Sequence, residues 1–214
     1  MDTPQTIVID AANVKLEGIL TVPQNATGLV VFVHGSGSSR FSPRNHYVAN
    51  LLNQTGLATL QFDLLTAEEN QVDEITREYR FDIDLLSQRT IATVDWLSEH
   101  PELGKLSIGL FGASTGAAAA LNAAKARPNE VECVVSRGGR PDLAMESLPE
   151  VLAPTLLIVG SYDHEVMQLN LLAQSAMQAK CELKTVEGAT HLFEEPGTLQ
   201  QAATAARDWF DTYL

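Results

Sequence analysis

The chain carries little positive charge. Lys and Arg number 14 against 27 Asp and Glu, which gives the 214 residues a formal net charge of −13 at pH 7. A surface of that sign repels the phosphate backbone of nucleic acids and the anionic surface of membranes. We therefore expect neither nucleic acid nor a membrane as a partner.

Cysteines and metal-binding patterns are scarce. The two cysteines, Cys133 and Cys181, lie in apolar segments of strand character, and neither has the spacing of a redox or zinc motif. The five histidines form no H-x-x-x-H pair. We therefore predict buried, reduced thiols, no metal site and no cofactor.

Long apolar runs are absent as well. No run in the sequence reaches the roughly 20 residues that cross a bilayer as a helix. The first residues, MDTPQTIVID, lack the basic region and apolar core of an export signal. We expect a soluble, cytoplasmic protein.

Aromatic residues make up only 6% of the chain, although 45% of it is hydrophobic. The core must therefore consist mainly of Val, Leu, Ile and Ala, which suits a buried parallel sheet covered by helices. A chain of this length can bury a full core as one domain, whereas a second domain would be cramped. We predict a single α/β domain over residues 1–214.

Short apolar runs alternate with longer helical patterns along the chain. The runs TIVID and VKLEGILTV predict an antiparallel pair, and the continuous run GLVVFVH predicts a strand buried on both faces. From Gly28 onward strand and helix alternate, which predicts a mostly parallel sheet with helices on both faces. The acidic stretch TAEENQVDEITREYR is expected to be a long, solvated connection, and the alternative is a mobile flap beside the active face. No segment is long enough for a large cap domain.

Four predicted strand ends carry the stretches HGSGSSR, GASTG, GSYD and EGATH. Binding residues collect at the carboxyl ends of the strands in such sheets, so these four loops should meet on one face. GASTG matches G-x-S-x-G between a predicted strand and a predicted helix, which is the context of a nucleophile elbow. Ser114 is therefore the candidate nucleophile. The alternative is that the two glycines only permit close packing and that Ser114 caps the helix.

A nucleophilic serine needs a base and a carboxylate that orients the base. Asp163 follows the strand TLLIVG, and His191 follows the last predicted strand. The order Ser, Asp, His along the chain is that of hydrolases on this kind of sheet. Taken singly, Asp163 could be a helix N-cap and His191 a loop histidine; together they predict a catalytic triad. His34 is expected to make a structural hydrogen bond instead.

Acyl transfer also needs hydrogen-bond donors for the oxyanion that forms at the attacked carbonyl. We predict one from the backbone N–H of Thr115 and the other from Ser36 in the glycine-rich loop. The glycines of HGSGSSR could also suggest phosphate binding, but neither G-K-[ST] nor G-x-G-x-x-G follows.

Four arginines follow the same strand ends: Arg40 and Arg44 after the glycine-rich loop, and Arg137 and Arg140 after VECVVS. In an acidic protein such a cluster could bind a carboxylate or phosphate of the substrate. The alternative is that these side chains pair with Asp63 and other nearby carboxylates and brace the loops.

The motifs together resemble the α/β-hydrolase superfamily and, within it, the small dienelactone hydrolase-like proteins; they are HGSGSSR, GASTG, SRGGRPDL, APTLLIVGSYD and GATHLFEEPG. The resemblance extends from Ile7 to Leu214. It implies a sheet of about eight strands, with Ser114 as nucleophile, Asp163 as acid and His191 as base. True dienelactone hydrolases carry cysteine in the elbow, so serine here supports hydrolysis of an ester-like bond without implying dienelactone as the substrate.

The first functional hypothesis is a serine hydrolase that cleaves a small soluble ester, lactone or thioester through an acyl-enzyme. A second is a catalytically idle protein of hydrolase fold that binds a ligand or partner. A third is an acyltransferase or perhydrolase, in which something other than water attacks the acyl-enzyme. Without a cap domain, short acyl chains are expected to be preferred.

Overall fold

An eight-stranded sheet forms the centre of the computed structural model, which describes residues 3–11 and 13–214. The strands lie in the order β1-β2-β4-β3-β5-β6-β7-β8. Their bounds are β1 Gln5–Ala11, β2 Val14–Thr21, β3 Gly28–Val33, β4 Ala58–Phe62, β5 Ser107–Ala113, β6 Val131–Arg137, β7 Thr155–Gly160 and β8 Cys181–Val186. β2 is antiparallel to β1 and β4, and the other neighbouring strands are parallel. The predicted mostly parallel sheet is confirmed.

Helices cover both faces of the sheet, as predicted. They are α1 Pro43–Gln54, α2 Ala67–Thr76, α3 Ile83–Glu99, α4 Thr115–Ala126, α5 His164–Ala176 and α6 Thr198–Tyr213, with short 3-10 turns at Leu103–Lys105, Pro141–Ala144 and Leu148–Glu150. Residues of α3, α4 and α5 share one buried cluster with Leu29 and Val31 of β3. Residues of α1 and α6 share the other cluster with Val30 and Phe32. Successive side chains of a strand point to opposite faces, which is why β3 is buried along its whole length.

Close backbone packing joins α4 to the centre of the sheet. A Cβ atom at Gly116 would lie 2.1 Å from the carbonyl oxygen of Val33, and one at Gly112 would lie 2.4 Å from Cα of Ala117. The alanines Ala117–Ala120 that follow are fully buried. Small residues therefore bring the first turn of α4 directly against the end of β3.

The acidic stretch is a helix, so the expected plain connection is wrong. Thr66 caps α2, since its hydroxyl accepts from the Glu69 N–H and the Glu69 carboxylate accepts from the Thr66 N–H. Arg77 ends the helix in the left-handed conformation. The T-A-E-E string has the spacing of a capping box, a sequence signal for the start of a helix rather than for a loop. The expectation of solvent exposure holds, because α2 buries only Asp73.

The cysteines differ in burial. Cys133 on β6 is fully buried as predicted, but Cys181 on β8 is only partly buried because β8 is the last strand of the sheet. Burial raises the pKa of the Cys133 thiol to about 12 and that of Cys181 to about 11, which keeps both protonated at neutral pH. No helix in the described ranges combines the length and the apolar character needed to cross a bilayer.

Candidate active site

Ser114 occupies a sharp turn between β5 and α4. Its backbone angles are φ 50° and ψ −123°, in the positive-φ region that residues other than glycine rarely adopt. The N–H of Ser114 donates to the carbonyl of Arg137 at 3.4 Å, and the Arg140 N–H donates to the Ser114 carbonyl at 2.9 Å. A Cβ at Gly35 would lie 3.0 Å from Cβ of Ser114. Neighbouring strand ends therefore hold the strained turn in place.

The Ser114 side chain does not cap α4. It makes no capping hydrogen bond, although Ser114 occupies the N-cap position. Among the residues that the structure describes, its hydroxyl makes no side-chain hydrogen bond at all, including none with His191, and Ser114 is half-buried. The alternative in which the Ser114 side chain caps α4 is therefore wrong. The hydrogen bond between a catalytic serine and its histidine base is often long in a free enzyme and shortens when substrate binds.

Asp163 and His191 are joined directly. Nδ1 of His191 lies 2.7 Å from Oδ2 of Asp163, and the carboxylate makes no capping bond to α5. A carboxylate only accepts, so Nδ1 carries the shared proton and Nε2 is left to accept another. The Asp163 side chain is 13% exposed and that of His191 is 38% exposed. The pair is therefore sheltered at the acid and open to solvent at the base.

The loop that carries His191 fits against the end of β6. Gly138 has φ 51°, and a Cβ there would lie 3.1 Å from the His191 carbonyl oxygen and 3.6 Å from its Nδ1. Gly138 directly follows Arg137, the residue that accepts the Ser114 N–H. Thr190 donates from its hydroxyl and its N–H to the Glu195 carboxylate, which holds the pKa of Glu195 below its usual range and closes the turn. The structure thus brings His191 to the strand end beside Ser114.

The two predicted oxyanion residues contact each other. Thr115 is the first residue of α4, where a backbone N–H has no partner within the helix. The N–H of Ser36 donates to the Thr115 hydroxyl at 3.0 Å. The structure therefore places both predicted donors at the elbow, but it engages the Ser36 amide with a threonine side chain. No local sequence pattern indicates this contact, because it joins residues 79 positions apart.

His34 has the structural role expected of it. Its Nε2 accepts from the Leu64 N–H at 3.1 Å, and its Nδ1 lies 2.9 Å from the Gly35 carbonyl. Burial lowers the pKa of His34, so the ring is neutral and Nδ1 donates. The ring ties the glycine-rich loop to the end of β4. Within 3–11 and 13–214, no group of three or more His, Cys, Asp or Glu side chains could hold a metal ion.

Two of the predicted substrate-binding arginines are paired with carboxylates. The Arg40 guanidinium pairs with Asp63 and with Glu17, the latter at 2.5 Å. The backbone N–H of Arg40 also donates to Asp63, at 2.7 Å. Arg140 donates to both oxygens of Asp142 at 2.8 Å. Both side chains therefore pair with nearby carboxylates, which is the alternative stated above for these arginines. Their role in substrate binding stays a prediction.

Arg137 is buried behind the elbow. It is 7% exposed, its Nη2 donates to Oδ1 of Asn45 at 3.3 Å, and its buried Nη1 has no partner in the described part of the chain. Burial, together with the neighbouring charge of Arg44, lowers the pKa of Arg137 to about 10. Arg44 lies 3.4 Å from Glu194 on the surface. Arg137 thus links β6 to α1 inside the protein, and contact with a substrate stays a prediction.

A cavity of about 930 Å³ lies along the glycine-rich loop. Its walls come from that loop, from α2 and from the β1–β2 hairpin, and they mix apolar side chains such as Phe41 and Leu65 with the charged Glu68 and Arg80. Ser114 lies beside the cavity and not in its wall, but Gly35 lines it and contacts Ser114. A bound molecule could therefore extend from the nucleophile along the loop toward α2.

Comparison with known proteins identifies relatives along the whole chain. The model of the "Dienelactone hydrolase family" matches residues 16–213. Two proteins of Mycobacterium tuberculosis strains, each described as a "Putative phosphoribosyl transferase", are 54% identical over 210 residues, which cover 98% of this chain and 46% of each relative. The chain thus spans about half the length of the curated relatives it matches.

Solved structures share the fold. A dienelactone hydrolase from Anabaena variabilis is 52% identical, with a TM-score of 0.98 and coverage of 100% of this chain and 99% of that one. Est1E from Butyrivibrio proteoclasticus is 16% identical, with a TM-score of 0.80 and coverage of 96% and 97%, and supports the fold alone. The family model spans nearly every strand and helix described above, from β2 to α6. By its sequence and its fold, the chain belongs to the dienelactone hydrolase family.

Proposed function

We propose that the protein is a serine hydrolase that cleaves a small soluble ester, lactone or thioester through an acyl-enzyme. The observation that carries the proposal is the 2.7 Å contact of Asp163 with His191 at the strand end beside an uncapped, strained Ser114. Family membership supports hydrolase chemistry. Serine in the elbow with a histidine base is suited to ester-like bonds.

The proposed chemistry assigns one proton path to the three side chains. Nε2 of His191 takes the proton of the Ser114 hydroxyl as Oγ attacks the carbonyl carbon, and Asp163 stabilises the imidazolium. Collapse of the tetrahedral intermediate breaks the bond to the leaving group, which receives the proton from His191. Water then attacks the acyl-enzyme by the reverse path and releases the acid and free Ser114.

The oxyanion would be held by the N–H groups of Thr115 and Ser36. The Thr115 hydroxyl accepts from the Ser36 N–H at 3.0 Å and so holds the glycine-rich loop against the start of α4. The Ser36 N–H would turn from this hydroxyl to the oxyanion as negative charge develops. The start of α4 adds the positive end of a helix dipole beside Ser114. These features support stabilisation of negative charge next to the nucleophile.

A fluorophosphonate probe tests the nucleophile. Native protein should be labelled and Ser114→Ala should not, while Ser175→Ala, a serine on the exposed face of α5, should label like the native chain. Circular dichroism of each variant establishes that it is folded. Labelling that persists in Ser114→Ala contradicts the proposal. Absence of labelling in folded native protein also contradicts it and favours an idle, ligand-binding protein.

A series of p-nitrophenyl esters of increasing acyl length tests the substrate class. The open cavity and the absence of a large cap predict the highest kcat/KM on short acyl chains. Best turnover on long-chain esters would contradict this part of the proposal. Adding alcohols or peroxide and analysing the products separates hydrolysis from acyl transfer and perhydrolysis, which share the same acyl-enzyme.

The transferase description of the mycobacterial relatives is a weaker candidate for this chain. It applies to proteins of which this chain matches 46%, whereas the match to the dienelactone hydrolase family covers residues 16–213. Release of pyrophosphate from a phosphoribosyl donor by the purified chain, unaffected by Ser114→Ala, would support the transferase instead.

A further inference from the structure

The outer edge of β8 is open. β8 is the last strand of the sheet, and among the described residues it pairs only with β7. The Thr155 N–H donates to Lys180 and the Ser161 N–H donates to Val186, so the backbone groups of the even-numbered residues face β7. By the alternation of a parallel ladder, the N–H and C=O groups of Cys181, Leu183 and Thr185 therefore face outward. An unpaired row of this kind is a template for another strand.

The charges on this strand alternate in sign. Glu182 and Lys184 are exposed and lie two positions apart, so they project from the same face of the sheet. Glu182 also contacts Lys180, at 3.1 Å, whereas Lys184 forms no ion pair with any described residue. The strand thus presents one positive and one negative charge on the same face of an open edge, a pattern that is complementary to itself when reversed.

We propose that β8 pairs with β8 of a second copy of this chain, antiparallel about a two-fold axis at Leu183. This register pairs the outward-facing Leu183 with itself and Cys181 with Thr185 of the other copy, so every outward group of the strand finds a partner. It also places Glu182 opposite Lys184 of the second copy, and Lys184 opposite Glu182, in two equivalent pairs.

The charges exclude the neighbouring symmetric registers. An axis at Glu182 would oppose two glutamates, and an axis at Lys184 would oppose two lysines, and like charges directly opposite destabilise a sheet. Axes at Cys181 or Thr185 would move half of the pairing beyond the ends of β8. The Cys181 carbonyl, which accepts from Gln174 at 2.9 Å, keeps a second lone pair for the partner strand.

The surface next to the edge is consistent with such a contact. A shallow cavity of about 360 Å³ between β8 and α6 is lined by Glu182, Lys184, Trp209, Thr212 and Tyr213. Lys180 lies over the rings of Trp209 and Tyr213, at 5.3 and 5.8 Å from their centres, and stays on its own chain. The opposing lysine of the second copy would therefore reach Glu182 across the mouth of this cavity.

Sedimentation equilibrium from micromolar to near-millimolar protein tests the proposal. Native protein should form a reversible dimer. Lys184→Glu should weaken it about tenfold or more, because two attractive pairs become repulsive. The charge-swapped Glu182→Lys/Lys184→Glu protein should regain the native affinity. Lys105→Glu, which makes the same change in net charge at an exposed site after α3, should leave the dimer intact.

Amide hydrogen exchange supplies an independent readout of the same pairing. The N–H groups of Leu183 and Thr185 should exchange more slowly as the protein concentration rises. A native chain that stays monomeric overturns the proposal. Three other results also overturn it. The first is equal weakening of the dimer by Lys184→Glu and Lys105→Glu, and the second is failure of the charge swap to restore the dimer. The third is a dimer in which the amides of Leu183 and Thr185 stay unprotected. Turnover per chain should be the same in all of these variants. The test of the dimer is therefore independent of the test of Ser114 as the nucleophile.

Discussion

The two sides of the proposed active site are held by different interactions. On the side of Ser114, Asp163 and His191, backbone hydrogen bonds and close approaches at glycines fix the geometry. On the side of the cavity, ion pairs hold the walls: Arg40 with Glu17 and Asp63, Arg80 with Asp73, and Arg89 with Glu69. The proposed reacting groups thus lie at strand ends, whereas the cavity is bounded by elements that ion pairs hold in place. Mutations on the first side should change kcat, and mutations on the second should change KM and stability.

The largest effect is expected at Asp163. Asp163→Asn keeps the shape of the side chain but lets the amide favour the wrong tautomer of His191, and kcat should fall about ten-thousandfold with little change in the melting temperature. Steady-state kinetics on a short p-nitrophenyl ester measures it. Asp142→Asn, at another strand end, is the matched control and should retain kcat within a few-fold. Similar kcat values for the two variants would remove Asp163 from the mechanism.

A smaller effect, on the other side of the site, is expected at Asp73. Its buried carboxylate accepts from the Tyr79 N–H, the Arg80 N–H and Arg80 Nε at 2.9, 2.9 and 2.6 Å, and thereby fixes the end of α2. Asp73→Asn should lower the free energy of unfolding by about 1–3 kcal/mol. It should also raise KM several-fold while kcat is kept, because α2 forms a wall of the cavity. A fall in kcat with KM unchanged would break the distinction between the two sides.

The stabilisation by Asp73 has a predicted pH dependence. Burial raises the pKa of this carboxyl, but the hydrogen bonds and the charge of Arg80 outweigh burial and hold the pKa below its usual value. A depressed pKa gives stability that is present above the unfolded pKa, about 3.9, and is lost as the pH falls through the folded value. Urea unfolding at a series of pH values should show the difference between native protein and Asp73→Asn shrinking below about pH 4. A difference that grows on acidification would contradict the assignment.

The sequence predicts more of the side of Ser114, Asp163 and His191 than of the side of the cavity. The positions of the three proposed reacting residues follow from strand ends and chain order, because G-x-S-x-G between a strand and a helix has few structural solutions. The cavity side was only partly predicted: the capping box of Thr66 and Glu69 could have revealed α2, but its charge pairs depend on side-chain positions in the folded chain. The same holds for Arg137, whose burial no local pattern indicates.

A moderate effect is expected at Thr115, where the two sides meet. Thr115→Val removes the hydroxyl that ties the Ser36 N–H, and with it the glycine-rich loop, to the start of α4. The proposed donor then loses its fixed position, and kcat should fall about tenfold, less than for loss of a whole oxyanion donor. Thr115→Ser keeps a hydroxyl and should restore most of the rate, with KM unchanged in both. Equal loss in the valine and serine variants would indicate that the methyl group, and hence packing, matters instead.

The smallest effect is expected at Arg140. Its bidentate contact with Asp142 uses two of its N–H donors and balances its charge. Arg140→Ala should therefore lower kcat/KM modestly and to the same extent for a neutral and an anionic ester of equal size. The partly exposed pair should contribute no more than about 1 kcal/mol to stability. A loss confined to the anionic ester would contradict this and indicate that Arg140 binds the anionic group of the substrate. The end of β6 would then be part of the binding surface.

The contact of Gly116 with Val33 has a consequence for how new specificity could arise in this scaffold. With 2.1 Å between a hypothetical Cβ and the Val33 oxygen, no side chain fits at position 116 unless the start of α4 moves away from β3. The elbow and the base of the glycine-rich loop are therefore packed as one unit, and a change to either should disturb the other. Engineering for other substrates should leave this unit untouched and vary exposed positions of α2, a wall of the cavity that lies apart from the proposed reacting residues.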